Sequence, residues 1–307
     1  METIQSSGKS GPLSGRPVIF GEVLFDLFPD GSRVLGGAPF NVAWHLQGFG
    51  ARPLFVSRIG DDPLGNEVVS IMQQWGLETT CLQRDRIRPT GRVEITLNEG
   101  QPSYAILPEQ AYDFIEPPEL DGGECSLIYR GTLIERSPVS GRTLADLCER
   151  TGLPSFLDVN LRAPWWELAS VVKGVRRARW VKLNDEELET LSQCTLEREE
   201  IPQVAERLRN DANLELLVVT LGAEGAWVFT PESARFGEPV PVEDIADTVG
   251  AGDAFSAVTL LGLLRGWSVP VILERALQFA AQICAQRGAT RPDRNLYDDY
   301  LRRWQDG

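Results

Sequence analysis

The alternation of short apolar runs with longer segments of helical periodicity constrains the fold of this chain more than any other feature of its sequence. Such an alternation is typical of an α/β protein with a largely parallel central sheet. The candidate core strands are residues 18–21, 54–59, 126–129, 155–159, 180–183 and 214–220. The candidate helices begin near Asn41, Pro63, Gly141, Trp165, Asp185, Glu199, Asp253, Val269 and Asn295.

The composition of the chain indicates which partners to exclude and which compartment to expect. The 307 residues carry a formal net charge of −14, which argues against a nucleic-acid partner, because proteins that bind polyanions usually carry a basic face. The five scattered cysteines form no CxxC pair, as is typical of reduced thiols in the cytoplasm. The longest apolar run, residues 254–264, is too short to cross a bilayer, so no membrane partner is expected. Residues 1–16 are polar and rich in Gly and Ser, which predicts a flexible tail before one domain at 17–307.

The presence of a single histidine, His45, excludes several kinds of catalytic chemistry. One imidazole cannot form a multi-histidine zinc site or a histidine pair for acid and base chemistry. His45 lies inside the helix predicted near Asn41, where a structural role is expected for it. An enzyme with this composition needs a carboxylate as its base.

Residues 247–255, Asp-Thr-Val-Gly-Ala-Gly-Asp-Ala-Phe, combine a small-residue turn with a carboxylate and the start of an apolar helix. The backbone N–H groups of such a turn can converge on an anion, and the helix adds the positive end of its dipole. Asp253 is therefore either a base beside a bound phosphate or an ordinary N-cap of the helix. A second glycine cluster at residues 36–41, Gly-Gly-Ala-Pro-Phe-Asn, also leads into a helix and favours the first interpretation.

Together the two glycine clusters resemble the signature motifs of the PfkB (ribokinase-like) family of sugar and nucleoside kinases. Three further landmarks follow the order of the family: residues 158–162 (Asp-Val-Asn-Leu-Arg), Asn184 with Glu187, and residues 220–222 (Thr-Leu-Gly) with Gly225. Five ordered landmarks are far more specific than one glycine motif. The resemblance covers about residues 18–292 and implies a ribokinase-like three-layer α/β/α core, a small β-sheet lid, and ATP-dependent transfer of a phosphoryl group to an alcohol.

Two segments, residues 22–35 and 90–114, have the pattern of strands that expose one face to solvent. Residues 92–97 and 103–107 alternate in polarity around Asn98-Glu99-Gly100, which predicts a hairpin. In the family such a sheet closes over the sugar and often forms a dimer contact, so a homodimer through the lid is expected. Tyr104 and Tyr112 of this segment either stack on the sugar or pack inside the protein.

The resemblance assigns roles on the sugar side of the site. Asp253 is expected to act as general base on a sugar hydroxyl, while Gly250, Ala251 and Gly252 form an anion hole with the Asp253 N–H. The chain lacks the GxxxxGK[ST] motif of a Walker-type phosphate loop. Substrate contacts are expected from Asp26, Gly37, Asn41, Tyr104, Arg162 and Asp253. The alternative for Asp26 is a surface charge on an edge strand.

Nucleotide contacts are expected from Asn184, Thr220, Gly222, Gly225 and Gly252. Asn160 and Arg162 also follow one candidate strand, Asn184 follows another, and Thr220 with Gly222 ends a third. Ligands of open α/β sheets bind at the carboxyl ends of strands. The alternative is that the Asn and Gly residues are turn formers.

The resemblance also implies two metal ions. Glu187 is expected to organise waters around Mg²⁺, and its alternative is a solvated acidic helix start. K⁺ is expected beside the anion hole at Asp247, the Val249 carbonyl and the Gly288 loop. In that loop Pro292 stands where ribokinase-like members carry Ser, which weakens the case for the cation. Val258 departs from the small residues that usually follow the base, and it faces either helix packing or adenine.

The kind of sugar expected as substrate follows from the segments that lack Lys and Arg. No Lys or Arg occurs in the glycine cluster at 36–41 or in the lid at 101–115, which argues against a phosphorylated substrate. A 2-keto-3-deoxygluconate carboxylate would have to pair with Arg162 or Arg130. The motifs look most like those of fructokinases, so phosphorylation of fructose at its 6-hydroxyl is expected. Another PfkB kinase, such as a ribokinase or nucleoside kinase, and a catalytically silent sugar-binding scaffold remain alternatives.

Overall fold

The computed structural model describes residues 12–98, 101–242 and 244–305. Its strands are β1 (Arg16–Phe20), β2 (Leu24–Leu27), β3 (Arg33–Gly36), β4 (Leu54–Gly60), β5 (Leu82–Asp85), β6 (Gly91–Asn98), β7 (Gln101–Ile106), β8 (Cys125–Gly131), β9 (Ser155–Asp158), β10 (Trp180–Asn184), β11 (Leu216–Thr220), β12 (Ala226–Phe229) and β13 (Ala234–Gly237). Its helices are α1 (Ala38–Gly48), α2 (Pro63–Trp75), α3 (Pro138–Thr151), α4 (Leu168–Arg177), α5 (Asp185–Ser192), α6 (Ile201–Asp211), α7 (Ala251–Arg265), α8 (Val269–Cys284) and α9 (Arg294–Gln305). All six predicted core strands and all nine predicted helices are present, with ends displaced by up to three residues.

A nine-stranded sheet in the order β13-β12-β11-β10-β9-β8-β1-β4-β5 forms the centre of the fold. Its pairs are parallel from β11 through β5, while β12 and β13 pair antiparallel at one edge. The predicted, largely parallel α/β sheet is therefore confirmed. Because the strands from β11 to β4 run the same way, their carboxyl ends lie at one edge, where ligands bind in such sheets.

Helices cover both faces of this sheet, because successive strand residues point to opposite sides. In β1, Ile19 packs into the cluster formed with α1, α7, α8 and α9, whereas Val18 and Phe20 pack on the opposite side with α3. In β9, Phe156 and Leu157 divide in the same way, and Leu157 joins the cluster formed with α4, α5 and α6. The result is the expected three-layer α/β/α core.

A separate four-stranded sheet in the order β3-β2-β6-β7 stands beside the core. The predicted hairpin is confirmed: β6 and β7 pair antiparallel, with Val93 opposite Ile106 and Asn98 opposite Gln101. Residues 99 and 100 of the predicted turn lie outside the described residues. Tyr112 belongs to a short 3-10 turn at Ala111–Phe114, outside the sheet, and its ring is fully buried. Stacking of Tyr112 on a sugar was therefore a wrong expectation, and the packing alternative holds.

The N-terminal boundary differs from the prediction by one residue. Arg16 was assigned to the tail, but it begins β1 and forms an ion pair with Glu78 at 2.5 Å. Residues 1–11 of the predicted tail lie outside the described residues. In the ranges that the structure describes, no helix combines the length and apolarity needed to cross a membrane.

His45 has the structural role expected for it. It is fully buried in α1, its Nδ1 lies 2.9 Å from the hydroxyl of Tyr297, and its ring packs edge-on against Phe279. Burial lowers the pKa of His45 to about 3, so the imidazole is neutral in the folded protein.

Candidate active site

The turn before α7 depends on glycine at position 250. Gly250 caps the helix with φ of 83°, and a Cβ atom there would lie 2.3 Å from the Ala289 Cβ, so both the dihedral angle and the space demand glycine. The helix begins at Ala251, and no side chain caps it. Asp253 is already its third residue, so the interpretation of Asp253 as an N-cap is wrong.

The backbone donors of this turn are not all free. The Ala251 N–H donates to the Thr248 carbonyl at 3.3 Å, and the first helical hydrogen bond runs from Ala254 to Gly250 at 2.8 Å. The N–H groups of Gly252 and Asp253 lie between these two and precede the hydrogen-bonded part of α7, where helix amides lack intrahelical partners. These two amides, rather than the Ala251 amide, are the available anion donors of the predicted set.

The two glycine clusters meet through a side-chain contact. Asn41 lies in the first turns of α1 and is 4% exposed, and its Nδ2 donates to the Oδ2 of Asp253 at 2.7 Å. The Oδ1 of Asn41 is buried and has no partner among the described residues. The predicted base and the predicted sugar-binding amide are therefore neighbours, and the amide keeps one acceptor for a further hydrogen bond.

The electrostatic surroundings of Asp253 suit a base that titrates below neutral pH. Burial raises the pKa of Asp253 to about 6, the hydrogen bond from Asn41 opposes that rise, and Asp158 adds to it. Lys182 and Arg162 lower the same pKa by smaller amounts. The carboxylate is thus ionised at neutral pH and is basic enough to accept a proton.

On the sugar side, Asp26 lies in β2 between Val34 of β3 and Val93 of β6. Its carboxylate is half-buried, and its Oδ2 lies 4.0 Å from the place where a Cβ on Gly36 would be, so it faces the first glycine turn. Burial raises the pKa of Asp26 and Arg162 lowers it. The alternative of an ordinary edge-strand surface charge does not hold, because β2 is an inner strand of the lid sheet.

Other sugar-side predictions fall at the same edge. Gly37 has φ of 106° and packs against the Glu22 carbonyl, where a Cβ would come within 2.8 Å. Tyr104 lies in β7 with 60% of its surface exposed, so its ring is free for a ligand or a partner. Arg162 is exposed, and its Nη1 donates to its neighbour's carbonyl, that of Leu161, at 3.2 Å.

A buried network that the sequence did not reveal lies beneath the turn before α7. The Nζ of Lys182 donates to both carboxylate oxygens of Asp158 at 2.9 and 3.0 Å, and Ser256 and Tyr129 donate to the same carboxylate. A Cβ on Gly252 would lie 3.3 Å from that Nζ. Burial acts to lower the pKa of Lys182, but Asp158 and Glu187 more than offset it, so the pKa is raised and the ammonium is charged. The available signal was a lysine inside the apolar strand predicted at 180–183.

Glu22 is the second residue that sequence reasoning missed. It directly follows the apolar strand β1, is 4% exposed, and its Oε2 has no hydrogen-bond partner among the described residues. Burial raises its pKa to about 7, against the opposing effect of its own backbone amide and of Arg162. The charge of Asp253 also raises the pKa of Glu22, so this carboxyl group is half protonated at neutral pH and lies within electrostatic reach of Asp253.

The nucleotide-side residues occupy neighbouring strand ends. Asn184 ends β10 directly opposite Thr220, which ends β11. Asn184 and Glu187 form a reciprocal capping box at the start of α5. Glu187 is 7% exposed, which rules out the solvated-helix-start alternative for this side chain. Gly222 is exposed in a 3-10 turn that Gly225 closes by accepting a hydrogen bond from the Leu221 N–H at 2.9 Å.

Asp247 and Gly288, which the sequence assigned to one cation site, are in direct contact. The carboxylate of Asp247 accepts hydrogen bonds from Val249 at 3.0 Å and from Gly288 at 3.2 Å, so it joins the anion-hole turn to the loop after α8. Among the described residues, no three or more His, Cys, Asp or Glu side chains cluster as a metal site. Val258 is fully buried in the α7 packing cluster, which answers the question of what this larger side chain faces.

Comparison with protein families and with individual proteins shows what this chain is similar to. The model of the family described as pfkB family carbohydrate kinase matches residues 19–295. A fructokinase of Vibrio alginolyticus is 30% identical over 298 residues, which cover 88% of this chain and 93% of that protein. A fructokinase of Escherichia coli is 29% identical and covers 82% of this chain and 85% of its own length.

Comparison with solved structures also finds similarity to a fructokinase. A double mutant of the fructokinase of Vibrio cholerae O395, crystallised with fructose, ADP and potassium ion, superposes with a TM-score of 0.79 at 27% identity, covering 95% of this chain and all of that one. The match to the family extends over both glycine turns and every strand end that forms the site. The chain therefore belongs to the pfkB family of carbohydrate kinases, and it is a phosphotransferase that acts on an alcohol group of a sugar.

Proposed function

We propose that this protein transfers the γ-phosphoryl group of ATP to the 6-hydroxyl of fructose, with Asp253 as general base. The contact between Asn41 and Asp253 carries the proposal, because it joins the sugar-side turn to the phosphate-side turn. The carboxylate of Asp253 accepts the hydroxyl proton while the sugar oxygen bonds to the γ-phosphorus. The bond from that phosphorus to the β,γ-bridging oxygen breaks, and ADP leaves. General base catalysis of this kind contributes about 10²–10⁴ in rate.

The anion hole and the buried ammonium supply the electrostatic part of the mechanism. The amides of Gly252 and Asp253 donate to the transferring phosphoryl group, and each such donor can be worth about 10²–10³ in rate. Lys182 adds a positive charge directly beneath Gly252, in a place where burial weakens solvent screening. Gly250 and Ala251 shape the turn.

Fructose is the proposed substrate for two reasons. The sugar side presents the side chains of Asp26 and Asn41 next to the Gly37 turn, and these polar groups suit neutral hydroxyl groups. The relatives in Vibrio alginolyticus and Escherichia coli are fructokinases. Exposed Arg162 and the Nη1 of Arg136, which is buried without a hydrogen-bond partner among the described residues, favour an acidic sugar such as 2-keto-3-deoxygluconate instead.

The nucleotide is proposed to lie against Asn184, Thr220, Gly222, Gly225 and Gly252. Mg²⁺ would arrive on the nucleotide phosphates, as Mg²⁺ usually does in kinases, and would neutralise phosphate charge. The lack of a three-residue metal cluster in the described ranges fits that arrangement. Glu187 would hold a water of that ion, because each of its oxygens keeps a lone pair. K⁺ would be held by Asp247, the Val249 carbonyl and the Gly288 loop, although Asp247 already binds two backbone amides.

Association through the lid is proposed for exposed apolar side chains on the face of the small sheet that also carries Asp26. Val34 and Tyr104 are 44% and 60% exposed there, and Phe28 is 37% exposed at the adjoining turn. Sedimentation of the purified protein would give the mass of a dimer, and Val34→Asp would reduce it to that of a monomer. A monomer at micromolar concentration would contradict lid-mediated dimerisation.

Release of ADP tests the proposal with Mg²⁺ and ATP against fructose, ribose, 2-keto-3-deoxygluconate, adenosine and fructose 6-phosphate. Asp253→Asn is run beside the wild type. Fructose turnover that falls about 10²–10⁴-fold in the variant is the expected result. Turnover of another compound would retain the mechanism and reassign the substrate. Sugar binding without any turnover would contradict the kinase and favour a silent scaffold.

A further inference from the structure

Glu187 connects two separate parts of the site through its two carboxylate oxygens. Its Oε2 accepts a hydrogen bond from the Asn184 N–H at 2.9 Å, within the capping box of α5. Its Oε1 accepts a hydrogen bond from the Leu161 N–H at 2.8 Å, in the loop that follows β9. A buried carboxylate with two such bonds is rigid, because releasing either amide would leave it unsatisfied away from water.

The loop that Glu187 holds is the one that carries Arg162. Its start is fixed by Val159, whose N–H donates to the Lys182 carbonyl at 2.9 Å and whose carbonyl accepts from Thr132 Oγ1 at 2.6 Å. Asn160 then turns the chain with φ of 40°, in the left-handed region that non-glycine residues seldom occupy. Beyond this turn, the bond from Leu161 to Glu187 directs the backbone that leads into Arg162.

Arg162 itself has little else to orient it. Its side chain is exposed and, among the described residues, its one side-chain hydrogen bond is to the neighbouring Leu161 carbonyl. Even so, its charge acts on three carboxyl groups of the sugar side, Glu22, Asp26 and Asp253. The direction in which the guanidinium leaves the loop therefore depends on where the Leu161 amide is held.

We propose that Glu187 is a positioning residue for the sugar side of the site, acting through the Leu161 amide to aim Arg162. This role rests on the proposed function and is distinct from a water-mediated role toward Mg²⁺. It explains why a glutamate at the nucleotide-side strand end is buried and bonded to a loop of the neighbouring strand. It also makes the nucleotide half of the site a support for the sugar half.

Glu187→Gln tests the role with almost no change of volume. An amide offers one oxygen in place of two, so one of the two backbone N–H groups loses its acceptor. Glu189→Gln is the matched control, because Glu189 lies on the same helix and its Oε1 also accepts a backbone N–H, that of Leu196 at 2.8 Å. We expect kcat/KM for the sugar to fall about 10–100-fold in Glu187→Gln, the worth of a hydrogen bond to a charged group. The control should keep its kcat/KM. A rise in the Mg²⁺ concentration for half-maximal rate would report the separate, water-mediated role of Glu187.

A double-mutant cycle with Arg162→Ala separates positioning from direct metal chemistry. If Glu187 acts through Arg162, then Glu187→Gln has little further effect once Arg162 is removed, so the two losses are not additive. Additive losses would overturn the inference.

Hydrogen exchange keeps the test independent of kinase turnover. The Leu161 amide should exchange at least 10-fold faster in Glu187→Gln than in the wild type, and at the wild-type rate in Glu189→Gln. Unchanged protection of Leu161 in Glu187→Gln would refute the contact. If the wild type turns over no sugar, the proposed function fails. The double-mutant cycle can still be carried out, with sugar affinity measured by calorimetry in place of kcat/KM.

Discussion

Asn41 and Asp253 are 212 positions apart in the chain, and the amide of one donates to the carboxylate of the other at 2.7 Å. The contact joins the first turns of α1 and α7, which pack side by side on one face of the sheet. It places the base of the proposed reaction between the turn that faces the sugar and the turn that faces the phosphate. The same hydrogen bond limits how far burial can raise the pKa of the base.

The pH dependence of kcat/KM should therefore change when this contact is removed. In the wild type, activity should fall as the pH drops through about 6, because Asp253 is active as the carboxylate. Asn41→Leu removes a hydrogen bond to a charged group, worth about 1.5–3 kcal/mol, so the acid limb should move up by about 1–2 pH units. An acid limb at the same pH in both proteins would contradict the assignment of Asp253 as the titrating base.

Replacing Lys182 alone should destabilise the protein more than replacing both members of its buried ion pair with Asp158. Lys182→Met leaves the Asp158 carboxylate uncompensated at 1% exposure and should lower the free energy of unfolding by about 3–5 kcal/mol. Adding Asp158→Asn removes the stranded charge and should recover most of that loss. Urea unfolding at neutral pH measures both variants. Equal instability of the single and double variants would show that packing, not charge, explains the effect.

Glu22 should make stability depend on pH in the direction opposite to most acidic residues. Its folded-state pKa is raised from 4.5 to about 7, mainly by burial, so the stability it contributes is full below about pH 4.5 and is lost as the pH rises to about 7. Glu22→Gln mimics the protonated form. At pH 8.5 the variant should be more stable than the wild type by up to about 3 kcal/mol, and at pH 5 much less so.

Urea unfolding of Glu22→Gln at pH 5 and pH 8.5 supplies the comparison. Exposed Glu119 offers a control, because Glu119→Gln makes the same chemical change at a side chain that solvent already reaches and should change stability little. A Glu22→Gln protein that is less stable than the wild type at pH 8.5 would contradict the assigned protonation of Glu22.

Gly250→Ala should damage the anion hole through strain and contact together. The residue would adopt φ of 83° with its Cβ 2.3 Å from the Ala289 Cβ, so the turn must move. We expect kcat to fall by about 10² or more, because the donors of the hole shift from their positions. Gly152→Ala is the control, since Gly152 has φ of 62° with nothing within 4 Å of a new Cβ. That variant should lose some stability and keep its kcat.

Much of this fold follows from local patterns. The six core strands and nine helices were predictable because apolar residues recur with the period of the element that buries them. The predicted helix starts were wrong by up to three residues, because the capping contacts that set a helix start depend on the backbone conformation. Helix α3, for example, begins at Pro138 because the Ser137 hydroxyl caps the Val139 amide. The lid hairpin was predictable from alternation alone.

The site was predictable only in part. Motif order along the chain identified Asp253, Asn41, Asp26 and Glu187, but not which atoms they contact. Lys182 and Glu22 were missed. The residues around a charged side chain in an apolar run do not show whether it is ion-paired, buried without a partner, or exposed. Their partners, such as Asp158 for Lys182, come from other strands.

The sequence by itself determined the family, the layered α/β/α architecture and the identity of the two glycine turns, because these depend on residue types at short spacing. The tertiary structure alone decided that Asn41 holds Asp253, that Lys182 lies beneath Gly252, and that Glu187 reaches across to Leu161. Those relationships arise where the carboxyl ends of parallel strands converge and exclude water. Burial there sets the charge of each group, and burial depends on the whole chain rather than on any local segment.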